Sequence, residues 1–260
     1  MASIAQGWRI QVRVIKALMI RELSTRFGRE NIGFLWMMVE PMLFPALVAF
    51  MWRLMRGPEE HGISIIAYVV TGYVPLTLFR HAISRSAGIF TANGSLMYHR
   101  QIKLLDFILV RFIIEMIGAM MAFVLIALIL IYFDLFPVPP NPGYLIAGWA
   151  LYCLFSFSLC LILAPLSEIS ELTEKLIPVT TYVMIPFSGT FNQVSWLSPN
   201  VRDAIQWSPL VDAMEMIRFG VFGYDVDPYF TPWVPIGGSL ICMVVGLALC
   251  RRIRRRLVIE

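Results

Sequence analysis

The sequence predicts an all-α membrane protein: six transmembrane helices, an N-terminal interfacial amphipathic helix, and short outer re-entrant helices before the last span. Three observations predict it. Of 260 residues, 58% are hydrophobic and only 15% charged, where a soluble domain carries about a quarter charged. The apolar residues gather in runs near the ~20 residues that cross ~30 Å of hydrocarbon. Lys and Arg are sorted to one side of those runs. The length suits one membrane domain, with residues 1–31 as the interfacial helix and 32–260 as the six-span unit. No polar block is left over for a soluble catalytic domain. The first apolar run starts near residue 32, after a charged and mixed segment, which is the wrong shape for a signal peptide.

The first element covers residues 6–29. Trp8, Val12, Ile15, Met19 and Leu23 recur at helical spacing on one face, with Arg9, Arg13 and Lys16 on its flank. Such a helix lies in the cytoplasmic interface with its cations toward headgroups. It is either a plain positive-inside anchor or a working part. Gly28 and Gly33 let the chain turn into the membrane. The spans follow at 32–52, 63–79, 107–133, 144–166, 176–191 and 233–250. The second can continue as a helix past Arg80 and Arg85 toward Ile89. The fifth is short and holds Pro178 and Pro186, so a kinked or incomplete crossing is expected. Of the 21 Lys and Arg, all but Arg53, Arg56, Arg202 and Arg218 fall on one side. That side, and with it both termini, is cytoplasmic. The loop DLFPVPPNPG contains neither residue and lies outside. No internal repeat is evident, unlike the inverted repeats of many secondary transporters.

Two segments outside the spans are informative. The cytoplasmic loop TANGSLMYHRQIKLLDF has a turn at Asn93-Gly94 and Ser95 placed to cap a short helix. Leu96, Met97 and Ile102 stand there among His99, Arg100 and Lys103. Exposed apolar residues where two spans end make either a docking knob for a soluble partner or a connector on the headgroups. The outer segment 192–232 carries Ser198-Pro199 and Ser208-Pro209, each a Ser N-cap followed by Pro at the first helical position. Gly220 and Gly223 supply a stop. The second helix sets Leu210, Met214, Ile217 and Val221 on one face, with Asp212 and Glu215 elsewhere and Arg218 following. Trp196 and Trp207 flank the two starts. The pair dips back from the outer face, either as a lid over a pathway or as an interfacial cap.

Ionisable residues also lie inside the runs. Glu40 sits about eight residues into span one and precedes Pro41, which loosens the helix. Glu115 lies about as far into span three, one turn after Arg111. A charge at the bilayer centre costs roughly 2.5–3.5 kcal/mol, so such groups face protein or water. Glu40 therefore bonds a neighbouring span or faces a pathway, and Arg111 is expected to snorkel to the cytoplasmic interface. Arg80 and Arg85 end the second span, either as anchors or as forks for an anionic headgroup or a phosphate-bearing substrate. Trp36, Trp52, Trp196, Trp207 and Trp233 stand near predicted interfaces as an aromatic belt. The chain contains no GxxxxGK[ST], HExxH or GxSxG. His61, His81 and His99 are scattered, and the four cysteines lie in apolar runs without a CxxC. No cofactor, metal site, catalytic constellation or nucleic-acid role is predicted. If ATP drives this chain, another subunit binds it.

The stretch RELSTRFGRENIGFLWMMVEP resembles the basic helix, the Gly-x-Leu-Trp run and the Glu-Pro of span one in the membrane permeases of ABC-2 type exporters. Its Arg-Phe-Gly form is closer to the capsular polysaccharide branch than to the O-antigen branch. TGYVPLTLFR with NGSLMYHRQIKLLDFILVR, and SPLVDAMEMIRFGVFG, are further matches; in the last, Ser208 stands where the family often has Asn. The resemblance covers nearly the whole chain. It implies a homodimer in the bacterial inner membrane, each subunit bound to a separate cytosolic ATPase that holds ATP and Mg. It implies a coupling helix, which assigns Asn93, Leu96, Met97, Arg100, Ile102 and Lys103 to ATPase docking. It implies outer re-entrant helices, here carrying Trp196, Pro199, Trp207, Pro209, Glu215 and Arg218. The implied cargo is a long acidic glycan on a lipid anchor, passed to periplasmic and outer-membrane capsule export proteins. Three alternatives remain open: an ABC-2 permease for O-antigen, teichoic acid or a small drug; an ion-coupled transporter using Glu40 and Glu115; and a non-transporting scaffold.

Overall fold

A computed structural model describes residues 4–27, 33–97 and 101–257. Gly28, His99 and Arg100 lie outside the described residues. The helices run α1 (Ile4–Phe27), α2 (Gly33–Arg56), α3 (Ile65–Ser86), α4 (Gly94–Met97), α5 (Leu104–Tyr132), α6 (Pro142–Ile169), α7 (Glu171–Val183), α8 (Pro199–Ile205), α9 (Pro209–Phe222) and α10 (Trp233–Leu257). A two-residue antiparallel ladder, Glu59–Glu60 with Ile63–Ser64, joins α2 to α3. Apart from that ladder the described residues form an all-α architecture.

Five of these helices are long and apolar enough to cross a membrane: Met38–Arg56, Ile65–Ser86, Leu104–Tyr132, Pro142–Ile169 and Trp233–Arg254. The remaining expected segment is α7. Ser170, in extended backbone, breaks the chain between α6 and α7. The 13 residues of α7 reach about 20 Å at 1.5 Å per residue, short of the ~30 Å hydrocarbon core. Beyond it the chain continues as 3-10 turns at Pro186–Ser188 and Val194–Trp196. Pro178 and Pro186 remove backbone donors in this stretch, which favours a short helix over a full span.

Helix α3 is the axis of the bundle. Its apolar window is 83% buried, against 17% for α2 and 22% for α10, which leaves those two on the periphery. Because hydrocarbon offers no hydrophobic drive between helices, close packing holds them. Glycines provide it. A Cβ on Gly148 of α6 would lie 2.7 Å from the Ile217 backbone nitrogen of α9, and one on Gly246 of α10 would lie 2.6 Å from Leu161 Cβ of α6. A Cβ on Gly220 would fall on the Leu145 backbone.

Those contacts bring the C-terminal half of α9 beside the outer half of α6. Its first residue packs deeper, since a Cβ on Gly238 would meet Pro209 and Phe155. Helix α9 therefore starts inside the membrane and returns to the outer face, where Gly223 (φ 61) ends it. Both Ser-Pro pairs stand at helix starts, yet neither hydroxyl caps its helix. Ser208 instead donates to the Phe187 carbonyl at 3.2 Å. Gly220 lies inside α9 and serves packing, so only Gly223 acts as the stop. Every residue from Leu210 to Phe222 is buried, so α9 is enclosed by protein on all faces.

Candidate functional site

The end of the bundle expected to be cytoplasmic holds a chain of charges. It begins in α1, whose inward face includes buried Leu18 and half-buried Val12, Ile15, Met19 and Leu23, while Trp8 is exposed. Polar side chains share that face. Glu22 accepts from Arg26 at 2.7 Å and from Arg111 of α5 at 3.2 Å. Arg26 donates to Glu115 at 2.5 Å. Glu115 also accepts from Arg85 of α3 at 3.0 Å, lies 3.8 Å from His81 Nδ1, and Arg85 stands 3.6 Å from Glu40 of α2. Arg111 donates a further bond to the Arg85 carbonyl at 2.7 Å. Four helices are thereby joined by ionic contacts around a cavity of about 10 Å³, room for a single water. Burial raises the Glu22 carboxyl, but Arg111 and Arg26 together outweigh it and hold it below its ordinary value.

The described residues of segment 87–103, which are 87–97 and 101–103, are tied down on both sides of this chain. Asn93 is buried, donates to the Ile89 carbonyl at 2.8 Å, and accepts from Arg21 of α1 at 2.8 Å. On the opposite side Thr91 donates its backbone N–H and its hydroxyl to Glu168 of α6, each at 3.0 Å. The Gly88 amide donates to Ser167 at 3.2 Å. Gly88 takes φ 62, and its missing Cβ leaves room for Glu174 of α7. At the far end, Asp106 accepts from the Lys103 amide at 2.9 Å and from Gln11 of α1. Contacts of Gly88, Thr91, Asn93 and Lys103 thus link this segment to α1, α5, α6 and α7.

The expected coupling residues divide. Asn93 closes a 3-10 turn, and α4 begins at Gly94, so Ser95 lies within a helix instead of preceding one. Leu96 and Met97 are partly buried against the core on α4, Ile102 lies in the connector, and Lys103 immediately precedes α5. Arg100 is outside the described residues. Arg111 reaches Glu22 and the Arg85 carbonyl; those bonds, made within the protein, take the place of snorkelling. Gln11, Arg21, Glu22 and Arg26 carry much of the network, and sequence reasoning passed over them. The available signal was Glu22 with Arg26 one turn later, on the apolar face of a helix whose cations otherwise crowd its flank.

A second polar cluster lies under the outer face. Arg218 and Glu215 of α9 are fully buried. Arg218 donates to the Gly189 and Thr190 carbonyls, both at 2.7 Å, and to that of Asn192 at 3.3 Å. Its guanidinium carbon stands 4.0 Å over the Tyr68 ring of α3. Glu215 accepts from Gln193 at 2.5 Å and from the Val194 amide at 3.1 Å. Trp196 stacks on Tyr68 and on His61 of the α2–α3 turn. Pro199 and Pro209 begin α8 and α9, while Trp207 between them is exposed. One buried cation therefore gathers the irregular 189–194 backbone onto both α9 and α3. Irregular backbone at membrane depth needs such internal partners.

A bundle of apolar helices, a broken fifth segment, a buried re-entrant hairpin and an ion-linked cytoplasmic end define a multi-pass membrane permease. The profile of the ABC-2 type transporter family matches residues 13–222. The chain belongs to the ABC-2 type transporter family. It is similar to the capsule polysaccharide export inner-membrane protein CtrC of Neisseria meningitidis serogroup B, 38% identical over 92% of this chain and 91% of the relative. It is similar to BexB of Haemophilus influenzae, named in the same words, at 35% identity over 95% and 93%. It also matches the polysialic acid transport protein KpsM of Escherichia coli, 25% identical over 94% and 95%.

Proposed function

We propose that this permease is the membrane subunit of an ATP-driven exporter that moves a lipid-anchored capsular polysaccharide across the bacterial inner membrane. Two copies form the pathway. A separate cytosolic ATPase, which holds ATP and Mg, docks on segment 87–103, and periplasmic and outer-membrane export proteins receive the glycan. The observation that carries this is the double attachment of 87–103, through Arg21 to α1 and through Glu168 to α6. A partner that pushes this segment moves several spans together, which suits a permease driven from outside its own chain. The named activities of the relatives support the cargo class. The low burial of α2 supports a second copy, since its apolar face is left to lipid or to another subunit. Each carboxylate of the cytoplasmic charge chain has an arginine within 4 Å, which favours this reading over a proton-coupled carrier.

Two measurements test the proposal. Wild-type protein should restore surface capsule in a permease-deleted capsulated strain; export of O-antigen or a drug in its place would assign another cargo. Replacing Leu96, Met97 and Ile102 with Glu should abolish co-purification of the ATPase. A complex that survives all three substitutions would refute docking at this segment.

A further inference from the structure

Arg80 differs from Arg85 of α3 and Arg111 of α5. Arg85 is held by Glu40 and Glu115, and Arg111 by Glu22 and a carbonyl. Arg80 makes no hydrogen bond or ion pair with any described residue, and its Nε is buried without an acceptor. Its guanidinium carbon lies 4.2 Å from the centre of the Tyr182 ring of α7. Stacking fixes the plane of a guanidinium and leaves its donor edge open, which is the geometry that forks to a carboxylate or phosphate.

The depth of this cation is set by two contacts. Helices α3 and α7 run in opposite directions, and Gly88 meets Glu174 at their cytoplasmic ends. Arg80 precedes Ser86, the last residue of α3, by six residues and Tyr182 follows Glu174 by eight, so both lie about 9–12 Å farther into the membrane. A cation there must face water or an anion. Tyr182 is 59% exposed, so the pair stands at an open edge of the bundle. Farther out along α2 and α3 lies a group of packed rings, of which Phe44 is exposed, Trp52 and Phe191 are half-buried and Tyr73 is buried. Tyr73 packs on Phe44 and Phe191, each with centroids 5.6 Å apart, and Phe191 stacks on Trp52 at 5.8 Å. Amphipathic ring faces of this kind suit sugar.

We propose that Arg80, held flat by Tyr182, is a binding site for the carboxylate or phosphate groups of the exported glycan, on the inner side of that group of rings. This rests on the reading of the chain as a capsular polysaccharide permease. Arg80 forks to one anionic group while the neighbouring sugar rings lie toward those aromatic rings. Tyr182 acts as a positioning residue.

The test uses the full chain with its co-purified ATPase in nanodiscs of phosphatidylcholine, with a short oligosialic acid as acidic probe and a glucose oligomer of equal length as neutral probe. Wild type should bind the acidic probe, with affinity falling as salt rises. R80Q should weaken it about tenfold, the worth of one charge-assisted fork, and R80K should fall between them. Binding of the neutral probe should not change. Equal binding by R80Q and wild type, or no acidic binding by wild type, overturns the site. A difference between R80Q and wild type confined to phosphatidylglycerol nanodiscs, read as lipid retained on purification, assigns Arg80 to a lipid phosphate and also overturns it. Y182F preserves the stack and should bind as wild type, whereas Y182A should resemble R80Q. Co-purification of the ATPase with R80Q checks that the variant is folded. In cells the two proposals separate: failure of wild type to restore capsule defeats the permease reading, whereas equal export by wild type and R80Q defeats only the Arg80 site.

Discussion

Arg26 of the interfacial helix donates to Glu115 inside α5 across 2.5 Å, joining residues 89 positions apart in sequence. The bond converts a helix that could merely lie on headgroups into part of the bundle. Both side chains are largely withdrawn from water, at 16% and 9% exposure. Removing one partner costs about 1.5–3 kcal/mol, because Glu115 keeps Arg85 and Arg26 keeps Glu22. E115Q and R26A should each lower the melting temperature of the purified protein. The double variant should be less destabilised than the sum, giving a coupling of about 1 kcal/mol or more in a double-mutant cycle. Strict additivity would mean that the two groups do not interact.

Glu22 makes the seating of α1 dependent on acid. Its carboxyl titrates below the ordinary 4.5, because two guanidiniums outweigh burial. A depressed carboxylate contributes stability above its unfolded value, and that contribution is lost as pH falls through the folded value. Hydrogen exchange of α1 should therefore be steady from pH 8 to about 5. It should accelerate, relative to the intrinsic rate, below 4.5. In E22Q the acid step should shrink; an unchanged step would place its origin elsewhere.

Gly220 and Gly237 offer a matched pair. A Cβ at Gly220 falls on the Leu145 backbone, while one at Gly237 meets nothing within 4 Å. G220A should destabilise by about 1–3 kcal/mol through overpacking, and G237A should stay within about 0.5 kcal/mol of wild type. Thermal unfolding in detergent checks both. Equal melting would show that α6 and α9 do not approach as closely as described.

The outer hairpin depends on Arg218. R218A removes the donor shared by three carbonyls and leaves Glu215 without its cation, a loss of about 3–5 kcal/mol. Limited proteolysis should then cut within 186–209 faster than in wild type. R218K keeps the charge without the fork and should be cut at an intermediate rate. Wild-type resistance in R218A would mean that the hairpin is held by α9 packing alone.

Composition and local chemistry were sufficient for much of the fold. Apolar runs of span length marked five crossing helices, because hydrocarbon demands length and hydrophobicity from each segment independently. Pro178 and Pro186 foretold the incomplete fifth segment, since each removes a backbone donor where no water can replace it. Ser198-Pro199 and Ser208-Pro209 marked where α8 and α9 begin, because proline suits only the first turn of a helix. Other features depend on partners distant in the chain. Glu22 meets Arg111 across 89 residues, and Arg218 finds its carbonyls 26 to 29 residues away. The flank pattern of α9 suggested one apolar face, yet it is enclosed on all sides, and Gly220 looked like a stop until Leu145 lay against it. Periodicity reports which face a helix prefers to bury. Which charges become neighbours, and which glycine admits another backbone, follows only once the helices are packed together.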